Sequence, residues 1–364
     1  MKRSSVPRTQ ATTTSISALR LGPVSLRLNV RALVVAGALG VSLVASMALH
    51  IAFGGSPLWY PDVLLALFGN TADTAVHLAV TEFRAPRMAA AVLVGACLAA
   101  AGAITQTVAR NPLASPDVLG VTSGASLGAV AVLVIAGGGH AGLSGLAATV
   151  GLPVAALAAG LVSGVAVYLL AYRRGIDSYR LILVGLGISG LAASLTTWIL
   201  TLGDVTSAAQ ALTWMMGSLN GKDWALVQPA ATIAAVLLIA ALLCDRWLLL
   251  TSFGEDVAVS LGTRIGLVRL IALTIAVLLA SVATVVGGPV AFVALASPQI
   301  ARVLSRSVVP PVGISALFGA VFVLLADAIA ANALSAPLPV GVITAIVGAP
   351  YLIFLILKYQ RRLT

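Results

Sequence analysis

The sequence predicts an all-α polytopic membrane protein of about ten transmembrane helices, with both termini on the cytoplasmic side. Three observations carry this. Hydrophobic residues make up 60% of the 364 and charged residues only 9%, whereas about a quarter of a soluble domain is charged. Mean hydropathy is +1.09, and the apolar residues fall in runs near the ~20 that a spanning helix needs. The 21 Lys and Arg residues stand one to three at a time between those runs, with the sidedness that sets topology.

Residues 1–31, MKRSSVPRTQATTTSISALRLGPVSLRLNVR, are basic and rich in Ser and Thr, and predict a flexible cytoplasmic tail. The run that follows, 32–53, is too long for a signal-peptide core. It is a retained first helix, and 32–364 form a single transmembrane domain. Further apolar runs lie near 88–108, 118–136, 146–172, 181–202, 226–250, 267–286, 289–304, 312–334 and 339–357. Gly287-Gly288-Pro289, a strong helix stop, divides the seventh run from the eighth. With the N-terminus inside, every Lys and Arg falls on the inner side except Arg84, Arg87 and Lys222. Such a bias fixes the orientation, and removing any one run would scramble it.

Several classes are excluded by composition and spacing. Cys97 and Cys244 sit in separate apolar runs and His50, His77 and His140 are scattered, so neither a disulfide framework nor a metal centre is expected. No cofactor is expected either. The basic residues form no cluster of the kind that binds nucleic acid. GSLNGKD (217–223) has too few residues between its glycines for a phosphate loop and lacks the Ser or Thr after its Lys. Gly137, Gly139 and Gly142 match a dinucleotide fingerprint only by chance, in an outer loop. With no acid/base pair or nucleophile elbow, the chain is not an enzyme.

What remains is packing and polarity at membrane depth. Gly120, Gly124 and Gly128 make two successive G-x-x-x-G steps, and Gly160 and Gly164 a third. In lipid these are helix-packing faces. Gln106, Gln299, Asp327 and Asn332 are the polar residues within the runs. Asp327 is either a proton site or a carboxylate satisfied by its neighbours. Arg84 and Arg87, at the outer mouth of the second run, either reach to lipid phosphate or offer a docking point to an acidic partner. On the inner side, LTSFGEDVAVSLGTRIGLVR opens with Ser252-x-x-Glu255, a capping box. Val257 and Leu261 share a helical face and Gly262 is placed to end the helix. Its acidic start makes the anionic inner leaflet a poor partner, so a protein partner is expected.

The chain resembles the FecCD family, the permeases of type II ABC importers for iron–siderophore, haem and cobalamin complexes. The resemblance runs from about residue 32 to the end. It is carried by FRAPRMAAAVLVGACLAAAGAITQTVARNPLASPDVLGVTSGASLGA, YRLILVGLGISGL, WMMGSLNGKDW, FGEDVAVSLG, GGPVAFVALASPQIAR, LLADAIA and PLPVGVITAIVGAPYLIFLIL. RNPLASPD, GSLNG and VALASPQIAR are closest to the enterobactin-type subgroup. The resemblance implies the type II importer permease fold in the cytoplasmic membrane, surrounded by lipid, and an iron(III)–siderophore substrate. It also implies separate ATP-binding subunits, an extracytoplasmic substrate-binding protein and a second permease chain, either a different chain or a second copy. By the same resemblance, Arg84 and Arg87 receive acidic residues of the binding protein. Asn111 with Ser178 and Tyr179 forms a cytoplasmic gate, and Glu255, Asp256, Val257, Leu261 and Gly262 engage the ATPase. Three positions depart from the family pattern: Gln299 where many members have His, Pro337 where Glu is usual, and Ala331 where the cobalamin type has Arg. These predict a lopsided docking surface. The alternatives are a proton-coupled secondary transporter using Asp327, and a sensor or scaffold that moves no solute.

Overall fold

In the computed structural model, described for residues 17–21, 24–28, 30–53, 66, 74–136, 151–172, 178–332 and 338–360, the chain is helical apart from one hairpin ahead of the first helix. Strands β1 (Ser17–Leu21) and β2 (Val24–Leu28) pair antiparallel, with Leu19 opposite Leu26. Of residues 1–29, where a flexible tail is expected, the structure describes only these two strands. The period-two pattern of SALRL and VSLRL around Gly-Pro was the available signal.

All ten apolar runs appear as helices. Seven are long and apolar enough to cross a membrane among the described residues. They are α1 (Val30–Phe53), α2 (Thr74–Val108), α4 (Leu152–Ala171), α5 (Ser178–Leu202), α7 (Trp224–Thr251), α9 (Ile265–Gly287) and α11 (Val312–Asn332). The other three are α3 (Val121–Ala131, continued by a π turn to Ala136), α10 (Val293–Ser305) and α12 (Val340–Gln360). Two further short helices are described between spans. One, α8 (Glu255–Ser260), is the expected cytoplasmic helix; the other, α6 (Val205–Met215), has no counterpart among the apolar runs. It starts because the Asp204 side chain caps it, accepting from the Ser207 amide.

The core is organised around α2. Of its apolar stretch 83% is buried, against 6% for α1; α2 packs on α11, α9, α10 and α7, and α1 lies outside on α11. Its first turns widen into a π segment over Ala79–Arg84, just ahead of Pro86. That is where a proline ring crowds the preceding turn. Contact with neighbours is made backbone to backbone. A Cβ on Gly95 would lie 2.2 Å from the Gly319 carbonyl oxygen, and one on Gly102 only 1.8 Å from that of Ala294.

The Asn-Pro break after α2 leads into a re-entrant segment. Ser163, at the middle of α4, donates to the Gly120 carbonyl at 2.7 Å. Gly124 faces Ser163 and Ala159, and Gly128 faces Ala155 and Ala159. Helix α3 thus starts near mid-depth and runs antiparallel to the outer half of α4. Its 11 residues cover about 16 Å, half of the ~30 Å hydrocarbon layer. Helix α10 is the inner counterpart. Ala294 packs at Gly102 and the Leu295 carbonyl accepts from Gln106, both toward the inner end of α2. Phe292, in the left-handed region at φ 65°, starts it and Arg306 at φ 52° ends it.

Adding one methyl group at Gly102 should therefore lower stability by about 1–3 kcal/mol. The same change at Gly37, with no atom within 4 Å, should not. Thermal unfolding of purified Gly102→Ala and Gly37→Ala checks this; equal melting temperatures would contradict the packing.

Candidate translocation path

A cavity of about 560 Å³ opens where the two broken helices begin. Asp117, Thr122 and Ser123 at the start of α3 line it, with Pro289–Ala291 leading into α10, Met215 and Met216, and Val342 and Ile346 of α12. The geometry is fixed locally. Gly120 takes φ 75° to turn the chain into α3, Thr122 donates its hydroxyl to Asp117, and Gly185 of α5 sits against the Val118 carbonyl. Half-helix N-termini meeting at mid-depth are how transporters build intramembrane sites. Asp117 was not among the residues the sequence singled out. It reads there as an ordinary loop residue, although two prolines within five positions mark a broken helix.

A second pocket, about 290 Å³, lies at the inner end. Here the structure brings Asn111 together with Gln106, Gln299, Arg110 and Arg302. Gln299 donates to Gln106 Oε1 at 2.6 Å, and Gln106 passes its own amide proton to the Leu295 carbonyl at 3.0 Å. Asn111 Oδ1 accepts from the Leu113 amide, holding the turn after Arg110. Tyr179 is 75% exposed at the start of α5 and does not line this pocket; the Ser178 side chain is outside the described residues. Pro337 is also outside them.

The outer arginines turn inward. Arg87 forms a bidentate pair with Asp327, Nε to Oδ2 at 2.7 Å and Nη2 to Oδ1 at 2.9 Å. His50 Nε2 meets the same Oδ2 at 2.7 Å, with Asp327 1% exposed. Arg84, 8% exposed, donates to the carbonyls of Ile51 and Ala52. Asp327 is thus saturated by cationic and imidazole donors, not open to water as a proton relay would be. The cluster was legible in principle. His50, Arg87 and Asp327 each fall near the outer end of their runs, hence at similar depth.

On the inner surface, Val257 of α8 and Leu261 at its C-cap are 48% and 62% exposed and Ala258 is buried. The capping box does not form: Ser252 Oγ donates to the Leu249 carbonyl, finishing α7, and Gly254 occupies the N-cap without a side-chain bond. At the other end, Gly262 at φ 78° donates to Val259 and Thr263 to Ala258, a Schellman closure. Asp256 is exposed, and the Glu255 side chain is outside the described residues.

A bundle of long apolar helices, two broken helices meeting at a mid-depth cavity and a polar pocket at one end define a multi-pass membrane transport protein. Residues 42–358 match the FecCD transport family, and the chain belongs to that family. It is 39% identical over 311 residues to the ferric enterobactin transport system permease protein of Escherichia coli, covering 85% of this chain and 91% of that one. Over 304 residues it is 35% identical to the iron(3+)-hydroxamate import system permease protein of Bacillus subtilis, covering 82% and 89%. A solved chain, described as an inward-facing conformation of a metal-chelate type ABC transporter, shares the fold. It aligns with a TM-score of 0.75 and 24% identity, over 90% of this chain and 99% of that one.

Removing one partner of a buried ion pair leaves a stranded charge, at about 3–5 kcal/mol. Arg87→Ala should therefore destabilise the purified protein strongly, and Arg87→Met with Asp327→Leu should recover most of the loss. Melting temperatures of the single and double variants test this; additive losses would contradict it.

Proposed function

We propose that this chain is the permease subunit of an ABC importer that carries iron(III)–siderophore complexes across the cytoplasmic membrane. A single observation carries the reading: two broken helices open onto a mid-membrane cavity in a chain whose relatives are named as permeases for iron(III) chelates. Hydrolysis of ATP belongs to a separate subunit, and a binding protein delivers the chelate from outside. A second permease chain completes the path, and the enterobactin-type motifs favour a different chain over a second copy.

In this reading the ATPase seats on α8, where Val257 and the C-cap residue Leu261 are exposed on one side, with no helix over them among the described residues. Asn111, hydrogen-bonded in its turn beside Gln299 and Arg302, lies at the inner gate. Ser178 and Tyr179 supply their part of that gate to the partner permease rather than to this chain's own pocket. The binding protein docks above Arg84 and Arg87. A docking carboxylate would have to displace Asp327 to reach the Arg87 guanidinium, so docking through Arg87 is conditional on opening that pair.

Reconstituted in proteoliposomes with its genomic partners, the chain should support uptake of an iron(III) siderophore that requires ATP inside and survives collapse of the proton gradient. Uptake that follows the gradient and ignores ATP would overturn the proposal. Leu261→Asp places a charge in the centre of the ATPase contact and should reduce co-purified ATPase roughly tenfold or more, leaving membrane insertion intact. Unchanged recovery of the ATPase would remove α8 from the interface.

A further inference from the structure

Three basic residues lie on the outer side, and two are consumed inside the chain: Arg84 by the Ile51 and Ala52 carbonyls, Arg87 by Asp327. The third, Lys222, forms no hydrogen bond or ion pair with any described residue. It lies half-buried in the wall of an open cleft of about 710 Å³ between α6 and the loop that follows it. Pockets for small ligands run from roughly 300 to 1,000 Å³, so the space is of a size that suits a chelate.

The lining is rich in donors. Thr206 and Gln210 come from the exposed side of α6 and Asn220 and Lys222 from the loop, while the Thr213 hydroxyl already donates to the Ala209 carbonyl and offers the cleft only its oxygen. Trp214 completes the wall, and its buried indole N–H finds no acceptor among the described residues. No carboxylate lines the cleft among the described residues. Asp223, next to Lys222, spends its side chain capping α7 through the Leu226 amide. Burial presses the Lys222 amine below its ordinary range while the Asp223 charge pulls it back. A half-buried ammonium of this kind gains from an anionic guest.

The cleft is held rigidly and adjoins the central cavity. Gly217, at φ 73°, packs against the Pro289 carbonyl, Gly288 against that of Trp214, and Gly341 against that of Met216. The Gly341 amide donates to the Gly217 carbonyl. The turn Trp214–Met216 thus forms a partition, with Trp214 facing the outer cleft and Met215 and Met216 lining the mid-depth cavity. Resting on the importer reading above, we propose that this cleft is the first binding site on the permease for an anionic iron chelate, with Lys222 as its charge anchor. Oxygen atoms of the chelate take the Thr206 hydroxyl and Gln210 amide donors of α6 before the chelate passes the methionine partition.

The test uses the complete transporter in nanodiscs without binding protein, and two probes labelled with radioactive iron. An iron(III) tris-catecholate carries a threefold negative charge; a tris-hydroxamate carries none. Wild type should bind the catecholate in a salt-sensitive way. Lys222→Met should weaken that binding at least about tenfold, the scale of one charge-assisted hydrogen bond, and Lys222→Arg should stay close to wild type. Binding of the neutral probe, basal ATPase and association of the binding protein should not change. Catecholate binding that is absent in wild type, or equal in wild type and Lys222→Met, overturns the proposal. So does a Lys222→Met variant whose loss is confined to the association rate of the binding protein, which would make the cleft a protein-docking surface. ATP-driven uptake in proteoliposomes separates the two readings: if it persists while Lys222→Met binds normally, only the cleft assignment fails, and if wild type takes up no chelate with ATP, the importer reading fails.

Discussion

Lipid tails are as apolar as leucine, so pressing leucine between helices gains little inside a bilayer, and association depends on how closely backbones approach. Helix α2 shows what this demands. Gly95 lets α11 in to the carbonyl at Gly319, and Gly102 lets α10 in at Ala294. Once those two contacts are made, Gln106 reaches the Leu295 carbonyl and Gln299 reaches Gln106, so the polar floor of the inner pocket follows from glycine placement. The same device recurs between α3 and α4 at Gly124 and Gly128, and between α6, α9 and α12 at Gly217, Gly288 and Gly341. Side-chain volume is sacrificed wherever two backbones must touch.

Helix α1 is the exception and shows a different solution. Almost none of its apolar face is buried, and its polar ties sit at the ends. Arg31 donates to the Leu304 carbonyl near the inner surface. At the outer end Arg84 takes the Ile51 and Ala52 carbonyls while His50 meets Asp327. These charges are expensive to bury, and the bidentate geometry with Arg87 offsets that cost. An ion pair serves here as a fastening between three helices, which is why the two arginines that break the positive-inside bias point into the protein.

Broken helices carry a second cost, because unpaired backbone at membrane depth is tolerated only when buried in protein or facing a cavity. The re-entrant segment meets this condition bond by bond. Val118, Leu119 and Gly120 donate back to Ser115, Pro116 and Asp117, and Ser163 and Ser189 donate to the carbonyls of Gly120 and Asp117. The result is one polar side of the cavity, Asp117, Thr122 and Ser123, facing an otherwise apolar lining that includes two methionines whose thioethers can repack around guests of different shape.

Hydropathy and the sidedness of Lys and Arg determined the number of helices, because both report transfer between water and lipid, a property of each segment alone. The motifs carried the family for the same local reason, and the Gly262 stop of α8 was legible because a Schellman turn needs only neighbouring residues. The Ser252 cap failed because Ser252 was already spent ending α7, a choice between two local bonds that the sequence leaves open. Asp117 was missed because its depth is set by Ser163 and Gly185, residues on other helices. Arg87 was expected at the surface because its partner stands 240 positions away. Segment-scale solvation was written in the sequence; which charges meet, and which backbones dip to mid-depth, is decided only when helices distant in the chain pack together and their polar groups must find partners away from water.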